Sequence, residues 1–216
     1  MNIIIFLIET IITIFLITVI YKKYKYEGLE VLLIIYTILL PIISLKEVSL
    51  LAYPIPLALV PNTAIFIIIN IILQTKGKSK AIQELWLIWL VSLFSFILLS
   101  LISYLPSYIT PSFPQIIGSN LRMYTSIVLA LLLSLLINIK LYYFLRRIKN
   151  KIWVSNIVSG IIIQFIYSII FTLLYGVFRL PINTMVGIVV IMSSIKILIN
   201  TIGTIPVYIT NNMKER

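Results

Sequence analysis

The feature that most constrains this chain is a succession of apolar runs, separated by short clusters of charge or proline. A helix needs roughly 20 apolar residues to cross the hydrocarbon core of a bilayer, which is about 30 Å thick. In this chain 61% of the residues are hydrophobic and only 11% are charged, too few to cover the surface of a soluble domain of 216 residues. The sequence therefore predicts an all-α fold, a polytopic membrane helix bundle.

Seven segments are long and apolar enough to be helices of this bundle. They are residues 3–20, 29–45, 54–74, 85–104, 121–144, 153–177 and 182–209. The first segment lacks the cationic start and the small-residue cleavage site of a signal peptide, so we expect a retained helix. We predict one integral membrane domain over 1–216, with an extra N-terminal helix and loop at 1–28 and six core transmembrane helices within 29–209.

The formal net charge of +11 has an uneven distribution between loops. Twelve of the seventeen cations fall in alternate loops or the tail: Lys22, Lys23, Lys25, Lys76, Lys78, Lys80, Arg146, Arg147, Lys149, Lys151, Lys214 and Arg216. Cations in the loops of a membrane chain set its orientation and contact anionic lipid heads. We predict a multi-pass protein of the cell membrane with its N-terminus outside and its C-terminus in the cytoplasm. The partner that this charge implies is the lipid bilayer and not a nucleic acid.

Several kinds of chemistry are excluded by the residues that the chain lacks. There is no Cys, no His and no Asp, and the six Glu form no close pair inside a predicted span. Thiolate and imidazole metal sites and Ser-His-Asp triads are therefore excluded. We predict no enzyme, no catalytic residue, no metal and no cofactor.

Polar side chains recur inside several predicted helices. Asn70 and Gln74 are four residues apart and share one face of the third helix, and Ser134 with Asn138 repeats that spacing on the fifth. Because Ile and Leu fill the other faces, such stripes can be buried only against one another or around a wet cavity. We predict a solute site whose substrate-binding residues are Asn70, Gln74, Arg122, Ser134, Asn138, Ser159, Gln164, Ser168 and Lys196.

The alternative is that these polar side chains only hold helices together. For a lone serine this interpretation is favoured, and each such hydrogen bond is worth about 0.6 kcal/mol on average. Amides that recur on three helices favour a binding site, because an amide offers a paired donor and acceptor to the edge of a flat heterocycle.

Four charged residues lie within or close to the predicted spans. Lys196 is more than one turn inside the last span, where a cation costs about 2.5 kcal/mol or more, so it should face the interior. Glu9 is the one acid that we expect inside the membrane, because Glu27 and Glu30 are read as loop residues beside lysines, and it could pair with Lys196. Lys140 is close enough to a helix end to snorkel. Arg122 opens the fifth helix, either as an interfacial anchor or as a gate or ligand contact.

Four stretches carry a resemblance to a known family. The succession "TKGKSKA", "RMYTSIVLALLLSLLINIKLYYFLRR", "WVSNIVSGIIIQFIYSIIF" and "KILINTIGTIPVY" resembles the queuosine precursor transporter family, a branch of the vitamin-uptake-like transporters, over residues 29–209. The residues that match its motifs are Asn70, Gln74, Gly77, Lys78 and Lys80, then Arg122, Ala130, Ser134 and Asn138, then Trp153, Ser159, Gln164, Tyr167 and Ser168, and finally Lys196 and Pro206. Where the family usually has Asp, this chain has Asn70, Asn138 and Tyr167, and Gln74 replaces an acid.

The resemblance implies a small-molecule substrate, a 7-deazaguanine base that serves as a precursor of queuosine or archaeosine in tRNA modification. A carboxylate can neutralise an aminomethyl cation, whereas an amide hardly can. The departures therefore favour a neutral base such as the cyano form. They also remove obvious proton carriers and leave Glu9 as the buried candidate. Trp153, Tyr124 or Tyr167 could stack on the base.

Two other functions remain open at the level of the sequence. One is the substrate-binding subunit of an energy-coupling-factor type vitamin importer, although the seven Gly are scattered and no Ala-rich contact motif is present. The other is a structural or assembly protein of the membrane. A homo-oligomer is possible for any of these.

Overall fold

The computed structural model describes residues 2–44, 46–103, 112–149 and 151–214. The elements are α1 (Asn2–Ser44), β1 (Glu47–Leu50), β2 (Tyr53–Pro56), α2 (Leu59–Lys76), α3 (Lys78–Ser103), α4 (Ser112–Lys149), α5 (Ile152–Gly176), α6 (Ile182–Ile202) and α7 (Thr204–Lys214). Within the described ranges six helical spans are long and apolar enough to cross a membrane, and α6 with most of α7 forms one of them. The predicted all-α polytopic bundle is confirmed.

The first helix, α1, is a hairpin of two antiparallel halves. A straight helix of its 43 residues would measure about 65 Å, roughly twice the hydrocarbon thickness. The backbone leaves the helical region at Lys25, where φ is 54° and ψ is −135°. A Cβ on Gly28 would lie 2.6 Å from Cγ2 of Ile20, and the Tyr36 hydroxyl lies 3.4 Å from Oγ1 of Thr13. The predicted helices 3–20 and 29–45 correspond to the two halves, joined by a tight reversal.

A β-hairpin occupies the segment where the prediction began the third helix. The prediction of helix 54–74 is wrong at its start, because α2 begins at Leu59. Pro54 and Pro56 have no backbone N–H and push the preceding residues to extended conformations, which favours strand over helix here. The turn residues Leu51 and Ala52 both have positive φ, 50° and 69°, the geometry of a type I′ turn.

The starts of two further helices differ from the prediction. The second helix after the β-hairpin, α3, starts at Lys78 and not at 85, and its first turns are stabilised by an ion pair between Lys80 and Glu84. The helix α4 starts at Ser112 and not at 121, with Pro114 in its first turn, where proline is tolerated. Between the predicted helices 85–104 and 121–144, residues 104–111 lie outside the described residues.

The centre of the bundle is α2. Nearly all of its side chains are buried, whereas the other spans expose Ile, Leu and Phe on one side. A helix that is apolar all round belongs in the middle of a bundle, and α2 contacts α1, α3, α4, α5, α6 and α7. The few polar residues of α2, Asn62, Thr63 and Asn70 among them, therefore point into protein.

Candidate functional site

Four side chains form a continuous chain of hydrogen bonds through the core. The Asn138 amide donates to Asn70 Oδ1 at 2.8 Å, Asn70 donates to Asn156 Oδ1 at 2.8 Å, and Asn156 donates to Thr204 Oγ1 at 2.7 Å. This amide chain (Asn138, Asn70, Asn156 and Thr204) ties together α4, α2, α5 and α7. The three asparagines are buried.

Asn156 is, together with Thr204, one of two members of the amide chain that sequence reasoning missed. It lies only one turn after the start of α5, where polar residues commonly face the interface. The available signal was its spacing, because Asn156, Gly160 and Gln164 recur every four residues and so share one face of α5.

A second polar group lies two turns away along α2 and surrounds a buried cation. Lys196 is fully buried, donates from Nζ to Asn62 Oδ1, and lies 3.2 Å from the centroid of the Tyr167 ring. The Tyr167 ring stacks at 7° on Phe171 and meets Phe66 edge-on. We call this group, Lys196 with Asn62 and Tyr167, the Lys196 chamber. Its cavity of about 10 Å³ has room for about one water molecule.

The helix registers place further polar side chains between these two groups. On α5, Gln164 follows Asn156 by eight residues and precedes Tyr167 by three. The α6 residue that contacts Asn156 is Asn200, whose amide donates to the Asn156 carbonyl at 3.3 Å, and Lys196 is one turn earlier. Gln164 therefore lies between the amide chain and the Lys196 chamber.

Ser134 reaches the same depth from α4. The pairs Asn138 with Asn70 and Tyr142 with Gln74 have the same offset along the chain, so α4 runs parallel to α2. This register places Ser134 one turn before Asn138, level with Phe66.

Several polar atoms at this depth have no hydrogen-bond partner among the described residues. They are both side-chain atoms of Gln164, the hydroxyl of Ser134, and the side-chain oxygens of Asn138 and Asn200. All four side chains are buried. We call Gln164, Ser134 and Asn200 the open polar set. An unpartnered buried polar group is costly, so these atoms are the ones that a ligand would satisfy.

The remaining predicted site residues lie in other environments. The Arg122 guanidinium donates to the carbonyls of Leu174, at 2.9 Å, and Val177, so it caps the C-terminal end of α5. Gln74 accepts hydrogen bonds from Tyr142 at 3.3 Å and Arg146 at 3.2 Å, near the end of α2.

The two predicted serines of α5 bond to their own helix. Ser159 donates to the carbonyl of Asn156 at 3.3 Å, and Ser168 donates to that of Gln164 at 2.8 Å. Both hydroxyls are buried, but their protons are used locally. Among the aromatic candidates Tyr167 lies in the Lys196 chamber, whereas Trp153 is half exposed and the Tyr124 hydroxyl bonds to the carbonyl of Ser92.

The expectation that Glu9 is the one buried acid is wrong. Glu84 is 1% exposed, whereas Glu9 is in an intermediate environment. Since α3 starts at Lys78, Glu84 is inside the helix, where it accepts a hydrogen bond from the Tyr26 hydroxyl and lies 3.6 Å from Lys80. In the described ranges the contacts of Lys196 are with Asn62 and Tyr167, and no ion pair joins it to Glu9.

Contacts close the bundle on both sides of the polar core. At the end of the bundle that carries the β-hairpin, the Tyr175 hydroxyl donates to Glu47 at 2.9 Å. At the same end the Tyr53 ring packs so closely on Gly187 that a Cβ on Gly187 would overlap the ring. At the basic end, Tyr26 bonds to Glu84. Among the described residues, the cavity beside Lys196 has room for about one water molecule, so loading a heterocycle there requires helices to separate.

A polytopic bundle with buried, partly unpartnered polar side chains is an architecture that small-solute membrane transporters have. A model of the family described as "Putative vitamin uptake transporter" matches residues 56–210. The chain belongs to this vitamin uptake transporter family. No curated protein and no solved structure matches the chain.

Proposed function

We propose that this chain imports a small planar heterocycle, a neutral 7-deazaguanine precursor of queuosine or archaeosine such as the cyano base. Membership of the vitamin uptake transporter family supports uptake of a small molecule. The resemblance to queuosine precursor transporters supports the substrate class. Asn70, Asn138 and Gln74, which stand where relatives carry acids, support a neutral base.

The observation that carries the proposal is the state of Gln164. This side chain is fully buried, and neither its donor nor its acceptor has a partner among the residues described. Each unsatisfied group costs about 1–3 kcal/mol. A guanine-like edge that offers one acceptor and one donor would satisfy both atoms at once, which an apolar solute would not.

The proposed site combines the open polar set with the Lys196 chamber. Asn138 keeps one free oxygen and belongs to the site as well as to the amide chain. Of the other predicted site residues, Asn70 holds neighbouring helices together through its bonds to Asn138 and Asn156, Ser159 and Ser168 bond only within α5, and Gln74 and Arg122 lie at the two ends of the bundle. The domain arrangement that we propose remains a six-helix core within 29–209, preceded by an extra helix at 1–28.

Transport follows by alternating access around this fixed site. With the N-terminus outside, the β-hairpin faces outward and the lysine-rich end faces the cytoplasm. Separation of Tyr175 from Glu47 would open the outer side, and separation of Tyr26 from Glu84 would open the inner side. In the closed conformation both contacts are made together.

Binding and uptake of 7-deazaguanine bases by the purified protein test the proposal. We expect the cyano base to raise the thermal midpoint and to enter proteoliposomes, and we expect both effects to be lost in Gln164→Leu. Ser168→Ala is the matched control, because that hydroxyl donates to its own helix on the same face of α5. The proposal fails if no such base binds, or if Gln164→Leu and Ser168→Ala bind it equally well.

A further inference from the structure

Lys196 has no acidic partner among the residues that the structure describes, although a buried lysine normally has one. The ion pair in the described part of the chain joins Lys80 to Glu84, far along the sequence from Lys196. The contacts of Lys196 Nζ are a neutral amide oxygen of Asn62 and the face of Tyr167. The face of an aromatic ring and an amide oxygen offset only part of the electrostatic cost of burying a cation. The low dielectric of the interior strengthens the attraction of such a cation for a further acceptor.

The chamber can hold a substituent but not a ring. Its cavity of about 10 Å³ matches one water molecule. The rest of its lining is mostly apolar, with Pro56, Met192 and Phe171 among the residues that contact it. A hydrogen-bond donor that entered the chamber would have to compete with Lys196 for the Asn62 oxygen. A hydrogen-bond acceptor could instead accept from the Nζ protons of Lys196.

The chamber is also next to the atoms that would hold the base. Gln164 precedes Tyr167 by three residues, a rise of about 4.5 Å along α5. Lys196 covers the ring of that same Tyr167. A heterocycle whose edge bonds to Gln164 can therefore direct one substituent at Lys196.

We propose that the Lys196 chamber is the specificity-determining part of the site, which binds the electron-rich acceptor substituent of the transported base and rejects an amine. This inference rests on the proposed function. The reason is charge: a nitrile or carboxylate accepts from the ammonium, whereas an aminomethyl group is cationic and would meet Lys196 in a dry chamber. The interaction of the substituent with Lys196 then sets the affinity, and the hydrogen bonds of Gln164 to the ring edge set which heterocycle is accepted.

The test compares four 7-deazaguanine bases, which carry hydrogen, cyano, carboxylate or aminomethyl at C7, by their dissociation constants with the intact protein in detergent. In the wild type we expect the cyano and carboxylate bases to bind about tenfold or more tighter than the unsubstituted base, and the aminomethyl base to bind weakest. In Lys196→Met the cyano and unsubstituted bases should bind alike. Lys140→Met, which removes an exposed cation, should keep the wild-type order.

Asn62→Asp gives a second test that does not depend on the folding of Lys196→Met. A carboxylate at this position would pair with Lys196, so the cyano preference should fall and the aminomethyl base should gain affinity. The inference is overturned if Lys196→Met or Asn62→Asp keeps the wild-type order of affinities, or if the wild type prefers the amine. Equal wild-type binding of the unsubstituted and cyano bases would overturn it while leaving the proposed function intact. If the wild type binds none of the four bases, the proposed function fails, and this inference fails with it.

Discussion

Replacing Gln164 with leucine is expected to stabilise the substrate-free protein, which is unusual for a substitution in a well-packed core. The side chain is fully buried, and its amide nitrogen and oxygen have no partner in the described part of the chain. Unsatisfied buried groups cost about 1–3 kcal/mol each, and an apolar replacement of similar size removes that cost. Because two such atoms are removed, we expect Gln164→Leu to raise the free energy of unfolding by about 2–6 kcal/mol.

A matched substitution on the same face of α5 should have the opposite sign. Asn156→Leu removes two hydrogen bonds of the amide chain, to Asn70 and to Thr204, and leaves the Asn70 donor without a partner. At about 0.6 kcal/mol on average and under about 2 kcal/mol for each bond, the loss should be about 1–4 kcal/mol. Equilibrium unfolding in mixed micelles, followed by circular dichroism, measures both variants on one scale.

Two results would refute this reasoning. If Gln164→Leu lowers the free energy of unfolding by 1 kcal/mol or more, its amide makes favourable bonds in the folded protein and the side chain only holds helices together. If Gln164→Leu is stabilising but binds the cyano base as tightly as the wild type does, the unsatisfied atoms exist but do not contact the substrate.

Three further predictions concern packing, capping and orientation. Gly160→Ala should destabilise the protein by about 1–3 kcal/mol, measured by the same unfolding assay, because its Cβ would overlap the buried amide of Asn200. Arg122→Met should lower the thermal midpoint without changing the affinity for the base, because its guanidinium bonds to carbonyls at the end of α5 and lies outside the polar core. Since the chain has no Cys, single cysteines report orientation without background. A membrane-impermeant maleimide should label Leu51→Cys on intact cells and Ser79→Cys only after the membrane is opened, and the reverse pattern would contradict the proposed topology.

The helices were predictable because apolar length is a strong signal that does not depend on tertiary contacts. The β-hairpin was not, since apolar residues alone do not separate strand from helix, and Pro54 and Pro56 were the local sign of it. The reversal of α1 at Lys25 was expected only as a loop, because the residues around it are charged and give no sign of a tight turn.

The polar core was predictable in part for a similar reason. Burial in lipid forces amides and ammonium groups toward protein, which is why Asn70, Asn138, Gln164 and Lys196 were expected inside and are buried. The sequence alone does not specify which buried polar atoms form hydrogen bonds with one another. The bond between Lys196 and Asn62 depends on the relative rotation of α2 and α6, and nothing local to either helix determines that rotation.

The alternative interpretation of these residues as structural contacts fits the hydrogen bonds of some of them, whereas other residues have side-chain atoms without a partner in the described part of the chain. In the amide chain both polar side-chain atoms of Asn70 and Asn156 have partners, so these two asparagines serve to hold four helices in register. A protein that needed only such contacts would gain nothing by burying Gln164 without a partner one level away. Satisfied amides stabilise the closed bundle, and unsatisfied ones destabilise it until a ligand fills them. Under the proposed function, the solute would gain hydrogen bonds that the empty core lacks, and this gain is what would let it favour the loaded state.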